Sequence, residues 1–580
     1  MPSDSSGHAP SPPSEIFRGT GVGHGLVVGV SRLLKRKSAA SILERFRRHG
    51  GGVPADEAAF DALVARTTAL IEAGRKELGE RLPEAASLLV DSHLTMLSDP
   101  LFRDHVIDEL RKDGNLARAI AESAVAVIRF FESSPHEFMR EKARDVEDIA
   151  LRLLSNFDPA GCSVERRNGG ADIIVARELL PSDITMIALR NIRAILLTSG
   201  GLTAHVSLLV RSFGIPLVIV NAPELLDMPD GTPLIVDGME GTVHVNPPEA
   251  TLRNVEKRIA GAGRLAVQSR PHAGADTRDG IHVQLQANIN LLGEVSRALE
   301  AKMEGIGLYR TELLFLMRKD LPGEEDQVRI YRGLLNRMGS LPVVFRTLDA
   351  GGDKMLPFFD DPPEANPALG LRSTRFTLRH PEIFDAQLRA ILRAAGNSET
   401  VSVMFPMIGS LDEWRQARAR FDECAGQVEK ETGVRNRIRV GMMVELPAVA
   451  DLAAEFAAEC DFFSIGTNDF IQYMLGVDRT NENVASYYCP HHPSVLRALK
   501  RIVDAAVHAG IPASVCGEMA HDPRYIPFFL GIGVRSLSTD PTYLPDVQKT
   551  VETLDISETC AYAAALLAES TIAGVESKLV

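Results

Sequence analysis

The chain has 580 residues, enough for about four domains at roughly 150 residues each, or for fewer if one of them is a large barrel. Its 63 Lys and Arg against 77 Asp and Glu leave a formal charge of −14, which argues against sequence-independent binding to nucleic acid or to an anionic membrane, since both need a positive surface. The composition, 45% hydrophobic and 24% charged, is globular, and no apolar run approaches the roughly 18 residues of a membrane span. Six cysteines without a CxxC pair speak against a disulfide scaffold or a thiolate metal site and fit a reducing cytoplasm.

Residues 1–15 are rich in Ser and Pro and carry neither the basic nor the apolar segment of a secretory signal, so they read as a disordered tail. The basic run Arg32 to Arg48 is either a solvated loop or helix face or a partner-binding patch. From about 56 to 156 the apolar spacing is helical: Phe60, Leu63, Val64, Thr67, Leu70 and Ile71 fall on one face. From about 165 to 246 short apolar runs separated by Gly, Pro and Asp predict strands at 172–176, 194–198, 216–220, 233–236 and 242–245, the signature of a compact β/α domain. Asn246-Pro247-Pro248 ends it, and a polar, helical linker follows.

Beyond residue 281, apolar strands alternate with longer helical stretches. The predicted strands are 282–287, 305–308, 343–345, 402–405, 440–444, 462–465, 513–515 and 534–537. Eight strands over some 300 residues suit a (β/α)₈ barrel, with a doubly wound open sheet as the alternative. Polar groups gather where these strands stop: Asn288, Arg310, Arg346, Glu445, Asn468-Asp469 and Cys516. Barrel enzymes build their active sites at that rim; structural ion pairing across the rim is the other reading. Glu445 and Asp469 suit Mg²⁺, which takes one or two protein carboxylates and completes its shell with water and substrate oxygens, unless each merely pairs with an arginine. Arg310 and Arg346 present forks that match phosphate or carboxylate. Cys516 could act as a general acid or be inert packing. The rim by itself implies metal-assisted chemistry on a small anionic substrate.

A second chemical centre is Gly200-Gly201-Leu202-Thr203-Ala204-His205, between a predicted strand and a helical run. Two glycines permit a tight turn, Thr203 offers a hydroxyl, and His205 would stand in a first helical turn, where free N–H groups favour an anion. It could carry a phosphoryl group there or be polar surface.

Taken together, these blocks resemble Enzyme I of the bacterial phosphoenolpyruvate:sugar phosphotransferase system over roughly residues 17–575. The block from Gly200 to His205, continuing to Arg211-Ser212-Phe213-Gly214-Ile215-Pro216, is similar to the phosphohistidine signature. So are 306–312 and 346–354 to the two arginine motifs of the barrel, and 462–473 with Val477-Asp478-Arg479 to its most specific segment. The resemblance implies a multidomain α/β protein: a disordered tail (1–15), a β/α swivelling phosphohistidine domain (16–34 and 160–248), and a helical HPr-binding subdomain inserted in it (35–159). A linker and hinge (249–278) and a C-terminal (β/α)₈ barrel that binds phosphoenolpyruvate and dimerises (279–580) complete it. It implies that His205 takes the phosphoryl group and passes it to a histidine of the carrier protein HPr, that Arg310, Arg346, Asn468, Asp469 and Arg479 bind the substrate, and that Glu445 and Asp469 hold Mg²⁺. Cys516 would protonate the enolpyruvate carbon, with Thr203, Lys354 and Arg372 in support. A cytoplasmic homodimer joined through the barrel is expected, without nucleic acid or membrane insertion.

The chain departs from the family pattern at Leu202 and Ala204, at Gly23-His24-Gly25 and at Ser538-Thr539-Asp540. The alternatives are a dikinase-like enzyme without its ATP domain and a non-catalytic regulator of the same fold that binds phosphoenolpyruvate; the retained His, arginines, carboxylates and Cys516 weigh against the second.

Overall fold

The structure, a computed structural model, describes residues 14–22, 25–34, 39–49, 55–78, 93–94, 96–97, 100–132, 137–157, 173–177, 179, 183, 192–199, 215–238, 240–256, 273–290, 292–316, 321–351, 364, 366–479, 481 and 483–579. The chain divides into two compact units, residues 1–269 and 270–580. Of the predicted tail 1–15, residues 1–13 lie outside the described residues, as do the Gly23-His24 pair, Leu202 to His205, and Lys354, while Glu15 already begins a strand.

The first unit holds an eight-stranded sheet built from β1 (Glu15–Arg18), β2 (Thr20–Val22), β3 (Leu26–Leu33), β4 (Ile173–Ala176), β5 (Ala194–Leu197), β6 (Leu217–Ile219), β7 (Pro233–Asp237) and β8 (Thr242–Val245). Its order is β1-β8-β7-β3-β4-β5-β6-β2, with a parallel centre (β3, β4, β5, β6) and antiparallel flanks. β4 and β5 are buried along their whole length, as expected of parallel strands in mid-sheet. The first three strands were not anticipated, and Arg32 belongs to β3 rather than to a loop or helix. Glycine explains the omission: Gly19 and Gly21 break the apolar pattern, yet a Cβ on Gly21 would stand 2.1 Å from the Gly238 carbonyl oxygen. The chain needs bare backbone where these segments cross.

Between β3 and β4 run helices Ala39–His49, Glu57–Leu78, Pro100–Asp113, Leu116–Glu132 and Glu137–Phe157. Their shared core includes Phe46, Phe60, Val106, Ile120 and Leu154. Ala117, Ala121 and Ala124 are fully buried, and such small side chains let helix axes approach closely. Phe60, Leu63, Thr67 and Ile71 are buried as predicted, but Leu70 is 53% exposed; at 100° per residue it falls at the edge of the stripe. Arg47 and Arg48 pair with Glu44, and Arg47 also with Glu122, so that part of the basic run is a charge-balanced helix face.

The second unit is a closed barrel: β10 (His282–Ile289), β11 (Ile306–Arg310), β12 (Val343–Arg346), β13 (Val401–Phe405), β14 (Arg439–Val444), β15 (Phe463–Ile465), β16 (Ala513–Val515) and β17 (Ser536–Thr539). Each strand pairs parallel with the next, and β10 pairs with both β11 and β17, which excludes an open sheet. The short β9 (Ala275–Asp276), in the stretch predicted as linker, pairs antiparallel with the start of β10. Val283, Val343, Val403, Val440, Phe463 and Leu537 all belong to one continuous core with the surrounding helices. Among the described residues no helix is long and apolar enough to cross a membrane.

Candidate active site

Parallel closure sets the C-terminal ends of all eight barrel strands at one rim, and the predicted site residues sit there. Several strands run further than the sequence suggested. Asn288 lies inside β10, and Arg310 and Arg346 are the last residues of β11 and β12 rather than the first residues of loops. Their guanidinium groups therefore hang from the rigid barrel, which fixes them better than a loop would.

Arg346 is buried beside three carboxylates. It pairs with Glu312 and reaches Asp349 Oδ2 at 3.2 Å and Met443 Sδ at 3.6 Å. Burial works against its charge, but Glu312, Asp349 and Glu445 outweigh it and hold the guanidinium above its ordinary range. Its Nε has no hydrogen-bond partner, nor do the buried hydroxyls of Thr347, Thr467 and Thr539. All four stand at or just beyond the ends of β12, β15 and β17. Buried polar groups left unmatched cost about 1–3 kcal/mol each; a polar ligand or ordered water at this rim would satisfy them.

Asp349 joins Arg346 to Arg372. Arg372 donates to it through Nε at 3.0 Å and Nη2 at 3.1 Å, to Asp469 Oδ2 at 3.2 Å, and through Nη1 to the Tyr473 hydroxyl at 3.3 Å. Ser373, at φ 60°, donates its hydroxyl to Asp349. Met407, at φ 56°, donates its backbone N–H to Glu445 Oε1 at 2.6 Å. Two non-glycine residues in the left-handed region, each bonded to a buried carboxylate of the rim, hold backbone strain of about 1–3 kcal/mol each. Burial pushes the Glu445 carboxyl up to about 8, with Asp469 and Asp349 acting the same way. Asp469 does pair with an arginine, one of the two arrangements left open above. Glu445 accepts from the Met407 backbone instead. Among the described residues no three His, Cys, Asp or Glu side chains converge as a metal cluster.

Around the rim, Arg310 donates to Asn290 Oδ1 at 3.0 Å. Asn468 and Glu518 clasp each other: the Asn468 amide donates to Glu518 Oε1 at 3.0 Å, and the Glu518 N–H donates to Asn468 Oδ1 at 2.8 Å. Arg479 is exposed, beside the half-buried Tyr488, whose phenol burial pushes up while Arg479 pulls it down. Cys516 is 3% exposed. Its thiol accepts from the Ser464 hydroxyl at 3.1 Å and faces the Ile465 carbonyl at 3.4 Å. Burial pushes it up to about 11, so at neutral pH it keeps its proton. Ser538, one of the departures from the family pattern, donates to Asn288 Oδ1 at 2.7 Å, and Asn288 in turn donates to the Cys516 carbonyl at 2.9 Å. Asp540 folds back to Thr542 in a local turn. A cavity of about 200 Å³ opens beside Arg372, lined also by Arg375, Met407, Leu446 and Tyr473.

The barrel thus brings together Arg310, Arg346, Arg372, Glu445, Asn468, Asp469, Arg479 and Cys516 at one rim. His205, Thr203 and Lys354 lie outside the described residues. Sequence reasoning assigned no role to Glu312, Asp349, Ser464, Tyr473 or Glu518. The signal available for the first two was their place within the arginine motifs.

Three family models match the chain: "PEP-utilising enzyme, N-terminal" over residues 18–142, "PEP-utilising enzyme, mobile domain" over 169–241, and "PEP-utilising enzyme, PEP-binding domain" over 265–556. Relatives named phosphoenolpyruvate-protein phosphotransferase from Bacillus sp. (strain S) and from Geobacillus stearothermophilus are each 39% identical over 502 residues, covering 86% of this chain and 86% of theirs. The protein of that name from Staphylococcus carnosus (strain TM300) is 35% identical over 512 residues, covering 87% of this chain and 88% of its own.

Proposed function

The chain belongs to the phosphoenolpyruvate-protein phosphotransferase family, and we propose that it moves the phosphoryl group of phosphoenolpyruvate to His205 and then to a histidine of the carrier protein HPr, releasing pyruvate. This is the first step of a sugar phosphotransferase system. The observation that carries the reading is the barrel rim, where buried arginines, two converging carboxylates and a protonated thiol share one mouth.

Phosphoryl transfer needs positioning and charge neutralisation more than covalent machinery. In this reading Arg310, Arg346 and Arg479 hold the phosphate and carboxylate of the substrate, Arg372 fixes Asp349 and Asp469, and the Asn468 amide donates to a phosphate oxygen. An imidazole nitrogen of His205 attacks phosphorus, the P–O bond to the enol oxygen breaks, and enolpyruvate leaves as the enolate. The Cys516 thiol then gives its proton to C3.

Glu445 and Asp469 would hold Mg²⁺. The fit is chemical: a buried carboxyl whose charge burial, Asp469 and Asp349 disfavour gains from a divalent cation, and two oxygen donors with room for substrate oxygens is the set Mg²⁺ takes. When bound, it would neutralise charge on the phosphate oxygens. HPr would dock on the helical subdomain 35–159, with 249–278 as hinge, in a cytoplasmic homodimer joined through the barrel.

The test is to incubate full-length protein with phosphate-labelled phosphoenolpyruvate and Mg²⁺, beside His205→Ala. Acid-labile, base-stable label on the wild type alone, chased by HPr, is expected. Folded wild type that binds phosphoenolpyruvate without taking up label would turn the reading toward a regulator.

A further inference from the structure

We infer that Ser464 is a positioning residue for the acid step: it donates its hydroxyl hydrogen to Cys516 Sγ and stabilises the thiolate left when the proton has gone. This rests on the reading that Cys516 protonates enolpyruvate.

Ser464 is the middle residue of β15, between Phe463 and Ile465. Successive side chains on a strand point to opposite faces, so when Phe463 and Ile465 join the core between strands and helices, Ser464 faces the barrel interior. Bulky branched apolar side chains ordinarily fill that position in a barrel. A hydroxyl buried there is costly unless it is hydrogen-bonded. Ser464 is 1% exposed, and its partner is Cys516 Sγ at 3.1 Å.

The sulfur's other surroundings give this contact its meaning. Leu308, Met404, Met443 and Phe462 pack with Cys516 in a small apolar cluster. A second polar atom at the sulfur is the Ile465 carbonyl oxygen, at 3.4 Å. A carbonyl can accept the thiol hydrogen but has nothing to offer a thiolate. In the acid step the S–H bond breaks and its electron pair stays on sulfur. The π pair of the enolate forms the new C3–H bond, and the enolate oxygen becomes the C2 carbonyl. The charge that was on the enolate then sits on sulfur inside an apolar cluster. A group that donates to sulfur at that moment lowers the barrier, and the Ser464 hydroxyl is oriented to do so. The opposing influences on the thiol agree with this: burial and Glu445 raise it, and the Ser464 bond, ahead of the charges of Arg310 and Arg346, draws it down. The thiolate regains a proton from solvent before the next turnover.

The experiment measures pyruvate formation by the full-length protein from phosphoenolpyruvate with Mg²⁺ and HPr, in H₂O and in D₂O. Wild type is compared with Ser464→Ala, Ser464→Thr and Cys516→Ala. Ser464→Ala is expected to lower kcat roughly tenfold with little change in the KM for phosphoenolpyruvate, and to raise the solvent deuterium isotope effect because proton delivery has become slow. Ser464→Thr keeps the hydroxyl and should return the isotope effect to the wild-type value, whatever it does to the rate. A wild-type isotope effect in Ser464→Ala, with or without a loss of rate, overturns the inference and leaves serine a packing role. Wild-type pyruvate formation by Cys516→Ala would instead sink the reading of Cys516 as the acid, a different failure with a different variant.

Discussion

The helical block of the first unit and the rim of the barrel treat charge in opposite ways. In the helical block Arg47 lies between Glu44 and Glu122, Arg103 pairs with Asp61 and Arg111 with Glu57, all partly or largely in contact with water. Such pairs contribute little, because solvent screens them and long side chains lose entropy in forming them. At the rim Arg346, Asp349 and Arg372 are almost entirely out of water, and each touches more than one partner. Well-packed apolar residues would generally be at least as stable there as a buried charge network. The network therefore makes most sense as a device for holding charges in fixed positions for an anionic substrate, and the helical pairs as ordinary solvated surface.

The largest expected effect follows from that difference. Arg346→Ala removes the positive partner of Glu312 and Asp349 and leaves buried negative charge uncompensated, which typically costs about 3–5 kcal/mol. It should lower the unfolding midpoint of the barrel clearly and abolish pyruvate formation. Arg346→Lys should recover much of the stability but little of the activity, because it keeps a charge near Glu312 and Asp349, which both meet Nη2, but loses the planar guanidinium whose other nitrogens face the rim. Comparison of thermal unfolding with turnover in the two variants separates the structural cost from the chemical one.

Cys516→Ala should come next, with pyruvate formation falling by about 10²–10⁴, the usual contribution of a positioned acid. It should cost about 1–3 kcal/mol of stability, because the buried Ser464 hydroxyl loses its partner, less than Arg346→Ala does. Denaturant unfolding beside steady-state turnover checks both halves.

The two regions also differ in how much of them the sequence reveals. The barrel strands are legible because apolar runs alternate with helical stretches, and Arg310 and Arg346 because each follows such a run, whereas Arg372 and Arg479 follow helices and are suggested only by the family resemblance. What stays hidden is the second layer. Glu312 and Asp349 read as unremarkable polar residues until folding sets them against Arg346, over sequence separations of 34 and 3 residues. Ser464 looks like a lapse in an apolar strand, since no local pattern tells which face of β15 meets Cys516, 52 residues away. Of the strained residues, Ser373 and Met407, neither is a residue type that announces a left-handed backbone. In the first unit the loss is of another kind. β1 to β3 are concealed by the glycines that let them form, whereas the helices, with their regular apolar faces, are read with one edge position, Leu70, misplaced.

A smaller effect concerns pH. Burial, Asp469 and Asp349 raise the Glu445 carboxyl from near 4.5 to about 8. The folded state then holds a proton that the unfolded chain has released over that interval. Stability contributed by the protonated form is complete below about pH 4.5 and is lost as pH rises toward 8, because the folded state binds more protons there. Thermal unfolding of the wild type without divalent cation should therefore show a midpoint that falls between those limits. Glu445→Gln, uncharged at every pH, should flatten the fall and be the more stable protein at pH 8. A wild-type slope retained in Glu445→Gln would place the titration elsewhere in the network.

The smallest effect is the control that gives the others their meaning. Arg47 sits between Glu44 and Glu122 at 2.9 Å from each, as close as the ion pairs of the rim, although its Nε, the nitrogen facing Glu122, makes no well-directed hydrogen bond. Its guanidinium is raised by Glu122 yet remains in contact with solvent. If contact distance alone set the strength of an ion pair, Arg47→Ala and Arg346→Ala would damage the protein comparably. If exclusion from water is what matters, Arg47→Ala leaves the unfolding midpoint of the helical subdomain almost where it was, and raising the salt concentration changes wild type and variant alike. A marked destabilisation by Arg47→Ala would mean that the helical block, too, depends on its charges for more than solubility, and the contrast between the two regions would have to be drawn elsewhere.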